Sequence, residues 1–426
     1  MCGISGFFPC ANNDYNLSIL KSMSDSLTHR GPDGDGVWCD NNIGLSHRRL
    51  SIFDLILGEQ PMLSRSKRFV ISYNGEVYNF KEIRKDLVKC GLNFRTDSDT
   101  EVILEAFEYW GLEKALTFFH GMFAIAVWDS QEKILTLVRD RMGEKPLYYG
   151  WQGEVLIFGS ELKSLKCHPN WSAKIDRNAL SQLLKYNYIP TPLTIFSGIN
   201  KLEPGHLVHF DLKNGKCKQL KKCWWSYQST IESTKNNAYL GSMNDATEDL
   251  NFILQEVINE QSKADVSVGA FLSGGVDSSL IVALMQSQSN LPINTFTIGY
   301  DNKDYDESSQ ARIISKYLGT NHTDLIVTSN DALRIIPNLG YVFDEPFADA
   351  SQIPTLLISS LAKSNVKVSL SGDGGDEVFG GYNRYYWGPF IYKYMRFAPL
   401  NIRKIFSYIL NAISPTRWDS CFSMVS

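Results

Sequence analysis

Cys2 directly follows the initiator methionine. Removal of Met1 would leave a thiol and a free α-amino group on one residue, so that nucleophile and base come together. An α-amino pKa of about 7.7–8.0 suits proton abstraction from a thiol near neutral pH. A cysteine at position 2 is by itself an ordinary residue, and its neighbours must decide. A different chemistry is suggested by Ser273-Gly274-Gly275-Val276-Asp277-Ser278-Ser279, which follows an apolar β-type run and precedes the helical run Leu280 to Met285. Two glycines let the backbone approach a ligand, successive N–H groups point inward, and a helix N-terminus adds positive partial charge. The serine hydroxyls can donate further hydrogen bonds to phosphate oxygens. A bare Ser-Gly-Gly is an ordinary turn, but the whole heptad reads as a phosphate site. GxxxxGK[ST] is absent, so this is not a Walker loop.

A third stretch, Ser371-Gly372-Asp373-Gly374-Gly375-Asp376-Glu377, follows the apolar run Val366 to Leu370. Ligands of parallel sheets gather at the carboxyl ends of strands. Asp277 and Asp376 would then meet across one crevice and hold Mg²⁺, which takes only one or two carboxylates plus phosphate oxygens and water. Taken singly, each aspartate reads as a helix N-cap.

The elements needed to position these residues are visible as two patterns. Up to about residue 210, short β-rich runs alternate with turn signals, as in Phe69 to Tyr73 before Asn74-Gly75 and Phe123 to Trp128 before Asp129-Ser130. Two amphipathic stretches, Leu17 to Leu27 and Asp99 to Trp110, interrupt them. That pattern suits an α+β layered domain. From Lys213 to Asn244 the chain turns polar, as a surface connection would. Beyond it, Ala246 to Val257 and Glu307 to Leu318 read as helices. Val266 to Leu272, Ile293 to Tyr300, Thr323 to Val327 and Val366 to Leu370 read as strands, the βαβ rhythm of a parallel sheet. The expected division is 1–212, a linker 213–244, and 245–426.

The serine-glycine heptad resembles the pyrophosphate loop of the ATP pyrophosphatases, which cleave ATP between the α and β phosphates to form an adenylate. Met1-Cys2-Gly3-Ile4-Ser5-Gly6-Phe7, His29-Arg30-Gly31-Pro32-Asp33, His47-Arg48-Arg49-Leu50-Ser51-Ile52, Asn74-Gly75-Glu76-Val77-Tyr78-Asn79 and Ser98-Asp99 resemble the ordered motifs of class II glutamine amidotransferases. Together, in this order, the two halves are similar to the glutamine-hydrolysing asparagine synthetase family over essentially the whole chain. Sugar-phosphate and phosphoribosyl amidotransferases share the first half only, and beta-lactam-forming synthetases typically lack the cysteine.

The resemblance implies an N-terminal-nucleophile hydrolase domain of αββα layers, followed by an α/β parallel-sheet ATP pyrophosphatase domain of the adenine nucleotide α-hydrolase type. It also implies the chemistry: ammonia released from glutamine at Cys2 passes through an internal channel and aminates a β-aspartyl adenylate made from aspartate and ATP. In the first half, the Asn74 side-chain amide and the Gly75 N–H would serve as oxyanion donors. Arg49 would grip the glutamine α-carboxylate, Glu76 and Asp99 would take its ammonium, and Leu50, Ser51, Ile52 and Phe53 would complete the glutamine site. Alone, Asn-Gly reads as a hairpin turn, Arg49 as a surface ion pair and Asp99 as a helix N-cap. In the second half, Leu272, Ile298, Ser371 and Gly372 match nucleotide-contacting positions beside Ser273, Gly274, Gly275, Asp277, Ser278 and Ser279. Asp373 falls where the family carries an acidic residue that manages protons during amide formation. Asp344-Glu345-Pro346-Phe347-Ala348-Asp349 would line the acceptor site or the channel, or form a solvated loop.

Composition sets the outer limits. The 426 residues suggest two domains, and 43% hydrophobic with 21% charged residues is an ordinary globular balance. A net charge of −4 provides no positive field for nucleic acid. The eight cysteines lack CxxC spacing and read mostly as small buried hydrophobes. No secretory signal or membrane span is legible, which places the protein in the cytoplasm, and a homodimer is a further expectation. The family continues well beyond Gly380-Gly381-Tyr382-Asn383-Arg384-Tyr385-Tyr386, and with that continuation goes a downstream lysine that stabilises phosphate charge. Trp418 to Ser426 reads as the middle of a longer chain. The alternatives are therefore a related amidotransferase acting on another carboxylate and a glutaminase-only fragment.

Overall fold

The computed structural model describes residues 1–213, 217–235, 237–301, 306–414 and 417–418. The stretch 419–426, most of the segment expected to resemble mid-chain sequence, lies outside the described residues.

Twelve strands build the first half among the described residues: β1 (Gly3–Phe8), β2 (Gly34–Cys39), β3 (Gly44–Arg49), β4 (Met62–Leu63), β5 (Phe69–Val77), β6 (Gly121–Asp129), β7 (Ile134–Arg139), β8 (Tyr148–Gln152), β9 (Val155–Gly159), β10 (Ile199–Lys201), β11 (His206–Asp211) and β12 (Lys218–Cys223). They form two six-stranded sheets of order β10-β8-β9-β1-β3-β2 and β12-β11-β7-β6-β5-β4, antiparallel throughout. Ile4, Leu45, Val70, Ala124, Trp128, Phe158 and Phe210 fill the space between the sheets. This inner layer is apolar because both sheets turn one side of each strand toward the other.

Helices cover the outer faces. Asp14–Asp25, Leu162–Lys166 and Arg177–Tyr186 pack on the first sheet through Leu20, Met23, Leu162, Leu165 and Ala179. Phe80–Lys89, Asp99–Trp110 and Leu112–Phe118 pack on the second through Ile83, Leu87, Val102, Ile103, Phe107 and Leu116. The result is the αββα layering expected from the sequence.

Two local expectations change. Asn74-Gly75 is no hairpin turn: both residues lie inside β5, with Asn74 opposite Ala124 and Gly75 opposite Phe123. Tertiary pairing overrides the local turn preference because β5 has a partner strand along its whole length. Similarly, 213–244 is more than a surface connection, since β12 closes one edge of the second sheet against β11 and Tyr227–Lys235 is helical. Every residue of β12 is exposed, which explains why its polar sequence gave no strand signal.

The second half carries a parallel sheet of order β15-β14-β13-β16, with β13 (Val268–Phe271), β14 (Asn294–Tyr300), β15 (Asn321–Val327) and β16 (Val368–Leu370). Helices Met243–Gln261, Val276–Ser287 and Ser308–Leu318 cluster around Ile258, Ala270, Leu272, Val282 and Ala311. Helix Gln352–Lys363 packs with Phe296 and Val366 in a separate cluster. From β13 the chain winds through β14 to β15 and then returns to place β16 on the other side of β13. This reversal creates a crevice at the carboxyl ends of β13 and β16. Helices Asn383–Met395 and Leu400–Ala412 bury no residue and expose Trp387, Phe390, Ile405 and Phe406.

The halves are joined by specific polar contacts. Asp344 Oδ2 accepts the Lys163 N–H at 2.9 Å, Glu345 Oε1 accepts the Ile195 N–H at 2.6 Å, and Lys201 pairs with Glu345 at 2.7 Å. The Ala348 N–H donates to the Asn187 carbonyl at 2.7 Å. Of the acidic segment expected to line a substrate site or to be solvated, Asp344 and Glu345 form a clamp between the halves, with side chains only 7% and 10% exposed, while Asp349 is solvated as one of those readings expects.

Candidate active sites

Three strands and two loops position the thiol. Cys2 enters at the start of β1, and its Sγ accepts the Leu50 N–H at 3.4 Å beyond the end of β3. Burial pushes the Cys2 thiol up, opposed by the contact with Leu50 and by the adjacent terminal amine. The terminal ammonium, presented here on Met1, is pulled down to about 5 by burial, against the pull of Cys2 and with help from Arg30 and Lys145. Burial here favours the uncharged form of the Met1 amine.

The cleft beside the thiol is lined by Arg49, Leu50, Phe53, Tyr73, Gly75, Glu76 and Asp99. Asn74 is fully buried, and neither its Oδ1 nor its Nδ2 has a hydrogen-bond partner among the described residues. A buried amide left unpaired costs free energy, and its N–H groups remain free to donate. Gly75 is required by space: a Cβ there would overlap the Met122 carbonyl oxygen across the β5–β6 ladder.

Glu76 and Asp99 bring two carboxylates to the cleft, and neither forms an ion pair among the described residues. Burial raises Glu76 well above its ordinary range, with Asp99 adding repulsion. Asp99 is also raised by burial, although the Tyr73 hydroxyl at 2.8 Å and the Val77 N–H at 3.3 Å stabilise its charged form. Lys145 and the terminal amine act on Glu76 from beyond ion-pair distance, and two confined acids with no direct ion-pair partner could accept an ammonium group. Asp99 is not the N-cap of its helix, because Ser98 takes that role by accepting the Thr100 N–H, so the side chain of Asp99 is free to face the cleft.

Arg49 is in the cleft wall, with its guanidinium donating to the carbonyls of Phe53, Asp54 and Leu55. It shapes the loop that carries Leu50, Ser51, Ile52 and Phe53. Ser51 is buried, with its N–H on Asp33 Oδ2 at 2.9 Å. The other motif residues act as braces. Arg30 Nε donates to the Cys2 carbonyl at 2.8 Å and its Nη1 to Glu161 at 2.6 Å. His47, pulled down to about 3 by burial, is neutral and donates from Nε2 to the Tyr73 carbonyl at 3.0 Å.

Sequence reasoning missed Glu161, Tyr73 and Lys145. Lys145 is 4% exposed and its ammonium sits 2.8 Å from Met122 Sδ and 3.2 Å from Met1 Sδ. Nothing local marks these residues, since each acts across more than 20 positions of sequence or across a sheet.

The second site is a cavity of about 840 Å³ at the carboxyl ends of β13 and β16. Leu272, Ser273, Gly275, Asp277, Ser278, Ile298, Gly372, Asp373 and Asp376 line it. Gly274, Ser279 and Ser371 belong to the same loops. Ser273 and Ser278 hydroxyls meet at 2.8 Å, the Gly275 N–H donates to Ser273 Oγ at 3.1 Å, and Ser279 Oγ donates to the Gly275 carbonyl at 2.6 Å. The loop is thus ordered by its own hydroxyls before any phosphate arrives. The caps of the two following helices are Gly275 and Gly374, not aspartates, which leaves Asp277 and Asp376 facing the cavity.

The two loops are in contact: a Cβ on Gly375 would lie 2.6 Å from Asp277 Cγ, and one on Gly372 would lie 2.7 Å from the Ser278 nitrogen. Asp373 accepts from Ser371 Oγ at 3.0 Å. No group of three or more metal-binding side chains occurs among the described residues. Two carboxylates fit only an ion that phosphate oxygens and water complete, as Mg²⁺ requires.

A third cavity, about 590 Å³, lies between these sites and is lined by Met1, Arg30, Asp33, Leu50, Phe271, Ala362, Val366 and Lys367. Leu50 is shared with the thiol cleft and Phe271 with the nucleotide cavity.

Comparison with known proteins matches residues 1–225 to a glutamine amidotransferase domain model and residues 249–410 to an asparagine synthase model. A putative glutamine-hydrolysing asparagine synthetase 2 of Methanocaldococcus jannaschii is 35% identical over 408 residues, 90% of this chain and 76% of the relative. The chain belongs to the glutamine-hydrolysing asparagine synthetase family. A Bacillus subtilis member, asparagine synthetase 1, is 33% identical over 96% of the chain, and an Arabidopsis thaliana member, asparagine synthetase 3, is 31% identical over 91%. The chain spans 63% and 62% of the lengths of those two relatives.

The cysteines correct a further expectation. Among the described residues, Cys10 is the one buried cysteine, Cys2, Cys39 and Cys217 are half-buried, and Cys90, Cys167 and Cys223 are exposed. Among the described residues, no helix is long and apolar enough to cross a membrane.

Proposed function

We propose that this chain performs the glutamine-dependent synthesis of asparagine. The observation that carries the reading is one chain holding a half-buried thiol beside an orphaned amide donor and, across an intervening cavity, a phosphate crevice at a strand-order reversal.

In the first half, the Cys2 thiol attacks the glutamine amide carbon while the α-amino group freed by loss of Met1 takes the thiol proton. Asn74 Nδ2–H and the Gly75 N–H hold the oxyanion, in a buried site where such bonds act most strongly. Glu76 and Asp99 hold the substrate ammonium, and Arg49 with the Leu50–Phe53 loop holds its carboxylate end. Collapse of the tetrahedral species returns the proton to the departing nitrogen, releases ammonia and leaves a thioester, which water hydrolyses to glutamate.

In the second half, an aspartate β-carboxylate oxygen attacks the α-phosphorus of ATP, and pyrophosphate leaves. Backbone N–H groups and hydroxyls of 273–279 with Ser371 and Gly372 hold the phosphates, while Leu272 and Ile298 flank the nucleoside. Asp277 and Asp376 would hold Mg²⁺, which supplies positive charge for the leaving pyrophosphate. Ammonia then attacks the acyl carbon and displaces AMP, with Asp373 taking the surplus proton. The open cavity that shares Leu50 with the thiol cleft and Phe271 with the phosphate crevice lies on the path that ammonia would take. Enclosure matters because free ammonia in neutral water is mostly ammonium and is not nucleophilic.

We place the domain limits near residues 225 and 243, since β12 belongs to the first half and helix Met243–Gln261 to the second. A cytoplasmic location and a homodimer complete the proposal.

The test is to supply aspartate, ATP, Mg²⁺ and either glutamine or ammonium and to measure AMP, pyrophosphate, glutamate and asparagine. Asparagine matched by AMP is the expected result. Glutamate alone would reduce the function to that of a glutaminase, and AMP without asparagine would point to another carboxylate. Cys2→Ala should remove glutamine-dependent synthesis and spare the ammonium-dependent reaction, whereas Asp277→Ala should spare basal glutaminase. Equal loss of both activities in either variant would refute two separable sites.

A further inference from the structure

The loop after β3 lines the thiol cleft through Leu50, Ile52 and Phe53. Its other side is pinned by two residues of the second half. The Asp265 N–H donates to the Ile52 carbonyl at 3.0 Å, and the Asp265 carboxylate accepts the Asp54 N–H at 3.0 Å. Lys367 Nζ donates to Asp33 Oδ2 at 2.7 Å and to the Ser51 carbonyl at 3.5 Å. The same Asp33 oxygen accepts the Ser51 N–H at 2.9 Å.

These anchors stand at informative places in the sheet. Asp265 lies just ahead of β13 and Lys367 immediately ahead of β16, and the two strands are adjacent and parallel, Val268 opposite Val368 and Ala270 opposite Leu370. The Lys367 N–H also donates to the Ser267 carbonyl at 3.1 Å, tying the two strand roots together. At their opposite ends the same strands deliver Ser273–Ser279 and Ser371–Asp376 to the nucleotide cavity. A strand rises about 3.3 Å per residue, so β13 with four residues and β16 with three are short, hydrogen-bonded struts between loop and loop.

We propose that Asp265 and Lys367 are positioning residues that unite the glutamine loop with the roots of both nucleotide-bearing strands, so that glutamine and ATP bind with mutual dependence. The inference rests on the assignment of the two sites given above. The Lys367–Asp33 pair is exposed, with side-chain exposures of 36% and 27%, but each partner is also bonded to the Ser51 backbone, Asp33 to its N–H and Lys367 to its carbonyl, which fixes the pair as an isolated surface pair would not be. Burial opposes the Asp33 charge, yet Lys367 and the Ser51 N–H hold its carboxyl below the ordinary value. Coupling between two binding sites is reciprocal by thermodynamic necessity, and contiguity alone does not establish it. The decisive quantity is therefore a coupling factor.

Cys2→Ala holds glutamine without consuming it. Titration calorimetry would give the Kd of Mg·ATP for this variant without glutamine and at saturating glutamine, and the Kd of glutamine without and with ATP. The expected result is the same factor in both directions, about five-fold or more. In the Cys2→Ala background, Lys367→Met and Asp265→Ala should each bring the factor toward one, while Lys367→Arg retains it. Binding of ATP alone, with an unchanged circular dichroism spectrum, shows that each variant is folded. Should Lys367→Met not fold, Asp265→Ala carries the same expectation from the other strand root. A factor of one in the parent, or a factor that neither variant changes, overturns the inference and leaves both sites standing. Failure of Cys2→Ala to bind glutamine or ATP overturns the two-site reading itself.

Discussion

Removal of the Asn74 amide separates a catalytic group from a structural one by the sign of its effect on stability. Asn74 is fully buried in β5, and both polar atoms of its side chain lack partners among the described residues. An unpaired buried polar group costs about 1–3 kcal/mol, whereas loss of an oxyanion donor lowers kcat by about 10²–10³, equivalent to about 2.7–4 kcal/mol. Asn74→Leu keeps the shape and discards the unpaired amide. It should therefore melt at the wild-type temperature or above it and release glutamate from glutamine about a hundred-fold or more slowly, with KM little changed because the donor acts in the transition state. Thermal denaturation and a glutamate-release assay on the same preparation read both quantities. A kcat loss below about ten-fold would remove the amide from the oxyanion site, and a variant destabilised by more than about 1 kcal/mol would make it a structural residue with partners of its own.

Glu76→Gln should raise the glutamine KM and also stabilise the free protein at alkaline pH. Because burial raises the folded-state pKa of Glu76, the folded protein holds its proton more tightly than the unfolded chain. Wild-type stability then falls as pH rises from the ordinary glutamate range through the raised value, while the variant is spared; melting curves across pH that show no convergence on the acid side would refute this. Gly372→Ala places a Cβ 2.7 Å from the Ser278 nitrogen and 3.1 Å from Asp277 Cβ. Overpacking of this kind costs about 1–3 kcal/mol, and the expected outcome is weakened ATP/pyrophosphate exchange with glutaminase kinetics intact.

The sequence alone determined which residues would be brought together and the classes of element that carry them. Cys2, Asn74, Gly75, Glu76 and Asp99 line or adjoin one cleft, and Asp277, Asp373 and Asp376 share one cavity. Helix Asp99–Trp110 begins and ends where its apolar spacing indicates. These features are legible because they depend on local periodicity and on short loops between strand and helix. Only the tertiary structure decided that Asn74-Gly75 continues a strand, that the exposed polar run Lys218–Cys223 is one as well, and that Asp344 and Glu345 clamp the halves. The pairing of Lys367 with Asp33 spans 334 positions, and that of Arg30 with Glu161 spans 131. Such contacts arise from the order in which strands enter a sheet and from the docking of two halves. Neither leaves a periodic trace in the chain, because each partner is, in its own neighbourhood, an ordinary charged residue.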